Sequence, residues 1–267
     1  MTNQYYGLVS GLQHLAVSKP RDVKLEAMKE AICSQLEPSD LYQVLLAFYL
    51  YDHQNLLTLL SGKSDHLPYA NLSNTELQNI LKNRFSDDLY FTSLLDAINS
   101  DWHEVEPHVL ENKMTQHYYT FVESAGIDFL KEWFKFEITF KNLSAVYVQK
   151  TLKLEDVTLL EGGHFPSAQI ARINLADLDV EFPFLKRCFE SLDIENPIER
   201  NRRIDEIRWE YLDDLTFFNF FGIEKILAYV IKFQDLEKWK QLDPQIGKEL
   251  LTSFLAKNDK ELESKLL

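Results

Sequence analysis

The chain has 267 residues, 45% of them hydrophobic and 13% aromatic, so it can bury a sizeable core and is not disordered in composition. Eight glycines and eight prolines are too few for a turn-dense β-sandwich or barrel and favour long helices. The formal net charge of −14 repels phosphate backbones and anionic headgroups, which argues against nucleic-acid partners and direct binding to a membrane surface.

The N-terminal segment, residues 1–21, is predicted to be a lead-in to the helical part of the chain. Its stretch from Tyr5 to Leu15 is short, aromatic and interrupted by Gly7 and Gly11. This composition is compatible with a short strand or with an extended segment. Because no Lys or Arg precedes its apolar run, the segment does not match a secretory signal.

Helical periodicity begins at Asp22. The second predicted helix, Pro38–Leu60, is apolar almost all round, which is typical of a helix buried on several sides. After a polar loop at 61–72, Ser73 and Glu76 have the capping-box spacing that starts a helix. Further helices are predicted at 90–98, 107–124, 127–152, from 167, and at 183–192, 196–215, 223–239 and 243–255.

These elements predict an all-α fold with, at most, one short N-terminal strand. We divide its helices into three diverged subdomains, at 22–102, 103–192 and 193–257, the third of which is trimmed. The charged residues 258–267 are predicted to be a frayed tail.

Cysteine usage and hydropathy bear on where the protein works. Cys33 and Cys188 form no CxxC pair, which is typical of proteins in a reducing compartment. No apolar run approaches the roughly 18–20 residues that a membrane span needs. We therefore expect a cytoplasmic protein that is held at a membrane only through a partner, without direct insertion.

A weak internal repeat places polar residues inside apolar helices. In two helices, aromatic residues precede an acidic residue that an Asn-Leu pair follows: Asp52 with Asn55, and Glu137 with Asn142. A third helix carries an aromatic-Gly-Ile-Glu run from Phe221, and the patterns lie about 85 residues apart. Either helices of this composition match by chance, or these residues brace a neighbouring helix, since a buried Asp or Asn needs hydrogen bonds.

The pattern resembles the C subunit of archaeal and bacterial A/V-type rotary ATPases, whose eukaryotic counterpart is the d subunit. That family shows an acidic residue closely followed by Asn-Ile or Asn-Leu, and an aromatic-Gly-Ile-Glu-x-x-ϕ-Ala-Tyr-ϕ-ϕ signature near its C-terminus, where ϕ is apolar. Residues 221–224 and 228–231 match the signature. The chain departs from the family in length, being shorter, and at Thr139, where an Asp is expected.

Nearly the whole chain is also similar to an uncharacterised bacterial family whose members tend to be encoded beside V-type ATPase subunits. The similarity is carried by Tyr5, Tyr6, Leu8 and Val9 at the start, and by Asn-Pro-Ile-Glu-Arg at 196–200.

The resemblance implies a non-catalytic coupling subunit of a V/A-type rotary ATPase, active in ion transport. Such subunits are funnels of three helical subdomains that sit on the cytoplasmic face of the proteolipid ring and receive the foot of the central stalk. It implies the central stalk subunits and the proteolipid ring as partners, peripheral membrane association through the ATPase complex, and no cofactor. The residues singled out, as interaction positions or as braces, are Asp52, Asn55, Glu137, Asn142, Glu224 and Tyr229.

Two other functions remain open from the residues alone. A helical adaptor unrelated to the ATPase would present a groove to another protein. A metal-dependent enzyme would use a carboxylate cluster on consecutive turns of one helix. The cluster consists of Glu206, Glu210, Asp213 and Asp214.

Several features weigh against catalysis. Three arginines beside the carboxylate cluster favour an exposed face joined by salt bridges: Arg202, Arg203 and Arg208. His103 and His108 lack the i,i+4 spacing of a helical zinc pair, and no Gly-x-Ser-x-Gly is present. We therefore assign no catalytic, cofactor or metal site.

Overall fold

The computed structural model describes residues 3–16, 24–62, 66–98, 105–154, 157–173, 178 and 180–241. Within these ranges the chain forms eleven α-helices and no strand, which confirms the all-α prediction. The predicted helix at 243–255 and the tail at 258–267 lie outside the described residues. The helices are α1 Tyr6–Gly11, α2 Leu25–Cys33, α3 Pro38–Leu60, α4 Asn74–Asn83, α5 Leu89–Ile98, α6 Pro107–Ala125, α7 Asp128–Leu152, α8 Ser167–Ile170, α9 Pro183–Glu190, α10 Pro197–Leu215 and α11 Ile223–Gln241, with a 3₁₀ turn at Ser191–Asp193.

Side-chain caps and prolines set the starts of several helices. Ser73 and Glu76 form the predicted capping box of α4, because the Ser73 hydroxyl accepts the Glu76 N–H while Glu76 accepts the Ser73 N–H. Asn196 accepts the N–H groups of Ile198 and Glu199 at the start of α10. Proline occupies the first position of α3, α6, α9 and α10, where its missing N–H costs no hydrogen bond.

The structure corrects the prediction that the stretch from Tyr5 to Leu15 is a short strand or an extended segment. Tyr6–Gly11 is a helix, and Leu12, which follows it, has an extended backbone. The described residues contain no sheet edge with which a strand could pair. The segment instead docks on the helical body, where the Tyr5 N–H donates to the Phe221 carbonyl at 2.8 Å and the Tyr6 ring lies 4.6 Å from the Phe221 ring.

Helix α3 lies at the centre of the packing and contacts α4, α6 and α11. It buries residues on all its sides, as its apolar composition predicts. Helix α11 also contacts α2 and α10, whereas α7 contacts α6, α8 and α9. The three helices that carry the repeat pattern, α3, α7 and α11, therefore each contact three other helices.

One hydrophobic core extends from Leu25 in α2 to Phe233 in α11, and a smaller cluster joins the end of α7 to the segment after it. The main core crosses both predicted subdomain boundaries, so the division into three subdomains stays a prediction. Aromatic stacking reinforces this core, with the Tyr49 and Tyr90 rings 4.2 Å apart and those of Phe136 and Tyr211 4.4 Å apart. Among the described helices, none is both long and apolar enough to cross a bilayer.

Candidate functional site

Two residues of α3, Asp52 and Asn55, hold the loop that follows this helix. The Asn55 side chain donates to the Leu67 carbonyl at 3.1 Å and accepts the Leu67 N–H at 2.7 Å. The Asp52 carboxylate accepts the N–H groups of Asn71 and Leu72 at 3.1 and 2.8 Å. Both side chains are buried, so these bonds replace the water that each polar group lost. We call this arrangement the first loop clamp.

Lys29 in α2 completes the first loop clamp from the other side of the loop. Its ammonium donates to the carbonyls of Tyr69 and Ala70, both at 3.0 Å, and lies 4.4 Å from the Phe48 ring centroid. Burial raises the pKa of Asp52 to about 6, against the opposing effects of the two N–H donors and of the Lys29 charge. The clamp therefore contains a carboxyl whose pKa lies much closer to neutrality than that of an exposed aspartate.

A second loop clamp on α7 repeats the first in geometry. The Asn142 side chain donates to the Leu160 carbonyl at 2.7 Å and accepts the Leu160 N–H at 2.8 Å. Three residues earlier, the Thr139 hydroxyl accepts the His164 N–H at 2.8 Å. A Cβ on Gly163 would lie 2.7 Å from that hydroxyl, so the loop can approach α7 this closely only with glycine there.

The two clamps define which residues correspond in the repeat. Thr139 precedes Asn142 by three residues, as Asp52 precedes Asn55, and both accept backbone N–H groups from the following loop. The sequence pattern matched Glu137 with Asp52 and treated Thr139 as a departure. In the structure Thr139 takes the corresponding role, and Glu137 lies outside the clamp.

Glu137 instead belongs to a buried ion-pair cluster that joins α7, α10 and α11. The Arg208 guanidinium donates to both oxygens of Glu137, at 2.8 and 3.2 Å. Its remaining nitrogen donates to Asp205 at 2.7 Å and to Asp235 at 3.3 Å. Only 11% of the Arg208 side chain is exposed, so the prediction that Arg208 belongs to an exposed salt-bridged face is wrong.

The carboxylates of this ion-pair cluster differ in how readily they ionise. Burial raises the pKa of Asp205, and the charge of Asp235 adds to this effect. At Asp235 burial also acts against ionisation, but Arg208 and Lys238 outweigh it and lower the pKa. Two indole N–H groups, of Trp209 and Trp239, donate to Asp235 and Asp205 at 3.2 and 2.8 Å. The cluster is therefore satisfied by hydrogen bonds despite its excess of carboxylates.

The remaining predicted residues, Glu224 and Tyr229, lie on α11 and are half-buried. The Glu224 carboxylate folds back on Gly222, where a Cβ would lie 2.3 Å from its oxygen. The Tyr229 ring lies 6.1 Å from that of Phe233 and lines a groove of about 370 Å³ with the N-terminal residues 9–15. The C-terminal signature thus contacts the N-terminal motif through the groove and through Phe221.

A cavity of about 240 Å³ lies where the pattern-bearing helices converge. Its wall includes Gln54 of α3, Lys141 of α7 and Lys238 of α11, together with residues of α6. His53, which also lines it, is bonded to the Tyr90 hydroxyl, and burial lowers its pKa to about 3. The cavity therefore has a neutral imidazole, two ammonium groups and the Glu111 carboxylate in its wall.

Three of the four carboxylates considered for a metal site are bound to separate cations, and the fourth, Asp214, makes no ion pair within the described residues. Arg187 pairs with Glu210 at 2.7 Å, Arg203 with Glu206 at 3.3 Å, and Lys232 with Asp213 at 2.7 Å. Over the described part of the chain, no three Asp, Glu, His or Cys side chains are grouped as metal ligands.

The site that the structure assembles is therefore a set of braces around a convergence of helices. The sequence pointed to Asp52, Asn55 and Asn142 because polar residues interrupt apolar helices. The sequence did not predict the bracing roles of Thr139 and Asp235. A threonine is common in helices, and a single Asp is typical of the solvent-exposed face of a helix. The pairing of Asp235 with Arg208 links two helices that no local spacing connects.

Comparison with known proteins gives one family. The model of the family described as Protein of unknown function (DUF2764) matches residues 1–261. A search of curated proteins found no match.

Proposed function

The chain belongs to the family described as Protein of unknown function (DUF2764), whose description names no activity, and we propose its function from its resemblance to the rotary ATPase C subunit. We propose that the chain is a non-catalytic coupling subunit of a V/A-type rotary ATPase. It links the central stalk to the membrane proteolipid ring and is held at the cytoplasmic face through these partners.

The observation that carries this proposal is the pair of equivalent loop clamps. The resemblance to the rotary ATPase family rests on polar residues repeated in apolar helices. Asn55 and Asn142 use the same two-way bond to a leucine backbone, 12 and 18 residues further along the chain. A chance match between two helices would not be expected to reproduce this geometry.

A coupling subunit must transmit torque without deforming, and two features suit the chain to that task. The helices α3, α7 and α11 line one cavity and contribute side chains to one hydrophobic core. Arg208 ties α7 to α10 and α11 through three carboxylates in a setting with little water. Because no step of this role transfers a chemical group, the proposal needs no cofactor.

The acidic charge of the chain also suits a protein held by partners. A net charge of −14 opposes contact with anionic lipid, so attachment would run through basic protein surfaces. Such complementarity favours the correct partner and discourages wrong ones.

Co-purification from native membranes tests the proposal. An affinity-tagged chain, expressed at its natural level, should bring down proteolipid and central stalk subunits from detergent-solubilised membranes. The same tag on an unrelated acidic helical protein serves as the control. The proposal fails if the chain stays in the soluble fraction of a lysate in which the ATPase remains assembled, and recovery with other proteins alone would favour the adaptor.

A further inference from the structure

The turn between α10 and α11 exposes three phenylalanines within four residues. The exposed fractions are 62% for Phe217, 86% for Phe218 and 62% for Phe220. Phenylalanine is normally among the most buried residues, and contiguous exposed apolar side chains mark interaction sites. We call residues 217–220 the aromatic tip.

The aromatic tip is held in shape by the helices on either side. The buried Thr216 hydroxyl donates to the Leu212 carbonyl at 2.9 Å and accepts a bond from Lys225 at 3.2 Å. The N–H groups of Phe217 and Asn219 donate to the carbonyls of Asp214 and Thr216 at 3.1 and 3.0 Å. The turn backbone is therefore ordered before any partner arrives, which lowers the entropy lost on binding.

The tip is also anchored on its far side. Phe221, the next residue, accepts the Tyr5 N–H and packs against the Tyr6 ring. The Phe217 and Phe218 rings meet edge to face with centroids 5.0 Å apart. Rigid aromatic side chains of this kind are typical anchors of protein interfaces.

The charges beside the tip indicate what covers it. Asp213 and Asp214, in the last turn of α10 before the tip, are exposed. Lys225 and Lys232 of α11 both pair with Asp213, while Asp214 makes no ion pair within the described residues. A loop that enters a bilayer surface normally has Lys or Arg beside its apolar residues, because the lipid headgroups are anionic. This arrangement instead complements a protein surface with a basic edge.

We propose that the aromatic tip docks in an apolar pocket with a rim of Lys or Arg on another subunit of the rotary ATPase. This inference rests on the proposed function, and it adds which surface of the chain makes the contact. The phenylalanines fill the pocket, and Asp214 pairs with its rim.

Binding to purified ATPase that lacks this chain tests the inference. The test variant carries Phe217→Ser, Phe218→Ser and Phe220→Ser, and the matched control is Phe85→Ser, whose side chain is also 62% exposed but lies between α4 and α5. The test variant should bind at least about tenfold more weakly, as loss of a central aromatic anchor does, and the control should bind like the wild type. Circular dichroism checks that each variant is folded.

A charge variant tests the rim independently. Asp214→Lys, which leaves the phenylalanines in place, should weaken binding, and the loss should shrink as salt concentration rises because salt screens the pair. If Asp214→Lys binds with the affinity of the wild type at low salt, the proposal that the partner's pocket has a basic rim is overturned.

The remaining outcomes separate the two proposals. Equal binding by the wild type and the triple variant would overturn the proposed docking of the aromatic tip but would not contradict the coupling function. Failure of the wild type itself to bind overturns both. Co-flotation of the wild type, but not of the triple variant, with vesicles of phosphatidylcholine alone or mixed with phosphatidylglycerol would make the tip a membrane anchor and overturn the inference.

Discussion

Arg208 shows how much a single buried charge can hold together. Its guanidinium contacts carboxylates from three helices and lies 5.3 Å from the Trp133 ring centroid. Burial alone would lower its pKa, but the surrounding carboxylates raise it well above the ordinary value. Removing one partner from such a site leaves the others buried without compensation, which costs more than the ion pair itself contributes.

Replacement of Arg208 is therefore expected to be severe. Arg208→Met keeps the aliphatic stem but removes the cation that the three carboxylates share, and should lower the free energy of unfolding by roughly 3–5 kcal/mol. The control is Arg203→Met, on the exposed side of the same helix, which should change it by about 0.5 kcal/mol or less. Urea denaturation measures both. A loss of similar size in the two variants would contradict the role given to the cluster.

Asp52 predicts a pH dependence of stability. Burial raises its pKa from 3.8 to about 6, so the folded chain binds this proton more tightly than the unfolded chain does. The stabilisation from this group is fully present below about pH 4 and is lost as the pH rises through about 6. Asp52→Asn should remove this contribution, whose slope cannot exceed about 1.4 kcal/mol per pH unit.

Unfolding free energies measured between pH 4 and 7 check this prediction. The difference between the wild type and Asp52→Asn should vary with pH over this range. Parallel curves for the wild type and Asp52→Asn would show that Asp52 does not titrate in this window.

At the scale of the elements, the loop clamps fasten irregular segments to long helices. The second loop passes so close to α7 that Gly163 has no room for a side chain. Gly163→Ala should force the loop away from Thr139, break the bond from the His164 N–H, and cost about 1–3 kcal/mol. The control is Gly7→Ala, where nothing lies within 4 Å of the added carbon and the helix tolerates alanine.

Hydrogen exchange locates the expected change. In Gly163→Ala the amides of Leu160 and His164 should exchange faster, while that of Leu67 in the first loop clamp should keep its wild-type rate. Faster exchange in both loops would mean that the substitution acts through global unfolding and not through the second clamp.

The helices themselves were largely predictable, because their boundaries depend on local chemistry. The capping box at Ser73, the cap at Asn196 and the prolines at first helical positions are all visible in the sequence. Helix α1 was not predictable, since two glycines and an aromatic pair give a six-residue segment no decisive period. It is placed by its contacts with Phe221, which lies more than 200 residues away.

The residues of the candidate site likewise include some that the sequence predicts and some that it does not. Asn55 and Asn142 were identified because an Asn inside an apolar helix needs a hydrogen-bond partner. Arg208 was misplaced, since its neighbours in sequence are charged and exposed, and only the fold brings Glu137 and Asp235 to it. Long-range ion pairs of this kind leave no periodic signal in one sequence.

At the scale of the whole molecule, the role that we propose is that of a rigid connector. The helices α3, α7 and α11 meet around one cavity, the ion-pair cluster joins α7 to α11, and the aromatic tip lies in the turn before α11. Such a connector has to be stiff between its contact surfaces. Loss of the chain should therefore uncouple ATP hydrolysis from ion movement, while ATP hydrolysis itself continues.

Paired measurement of ATP hydrolysis and ATP-driven ion uptake tests the coupling role most directly. Membrane vesicles from a host that lacks the chain should still hydrolyse ATP, but ion uptake per ATP should fall close to background. Adding back the purified wild-type chain should restore the ratio, whereas the Arg208→Met variant should restore it less. An uptake ratio that is the same with and without the chain would contradict the account.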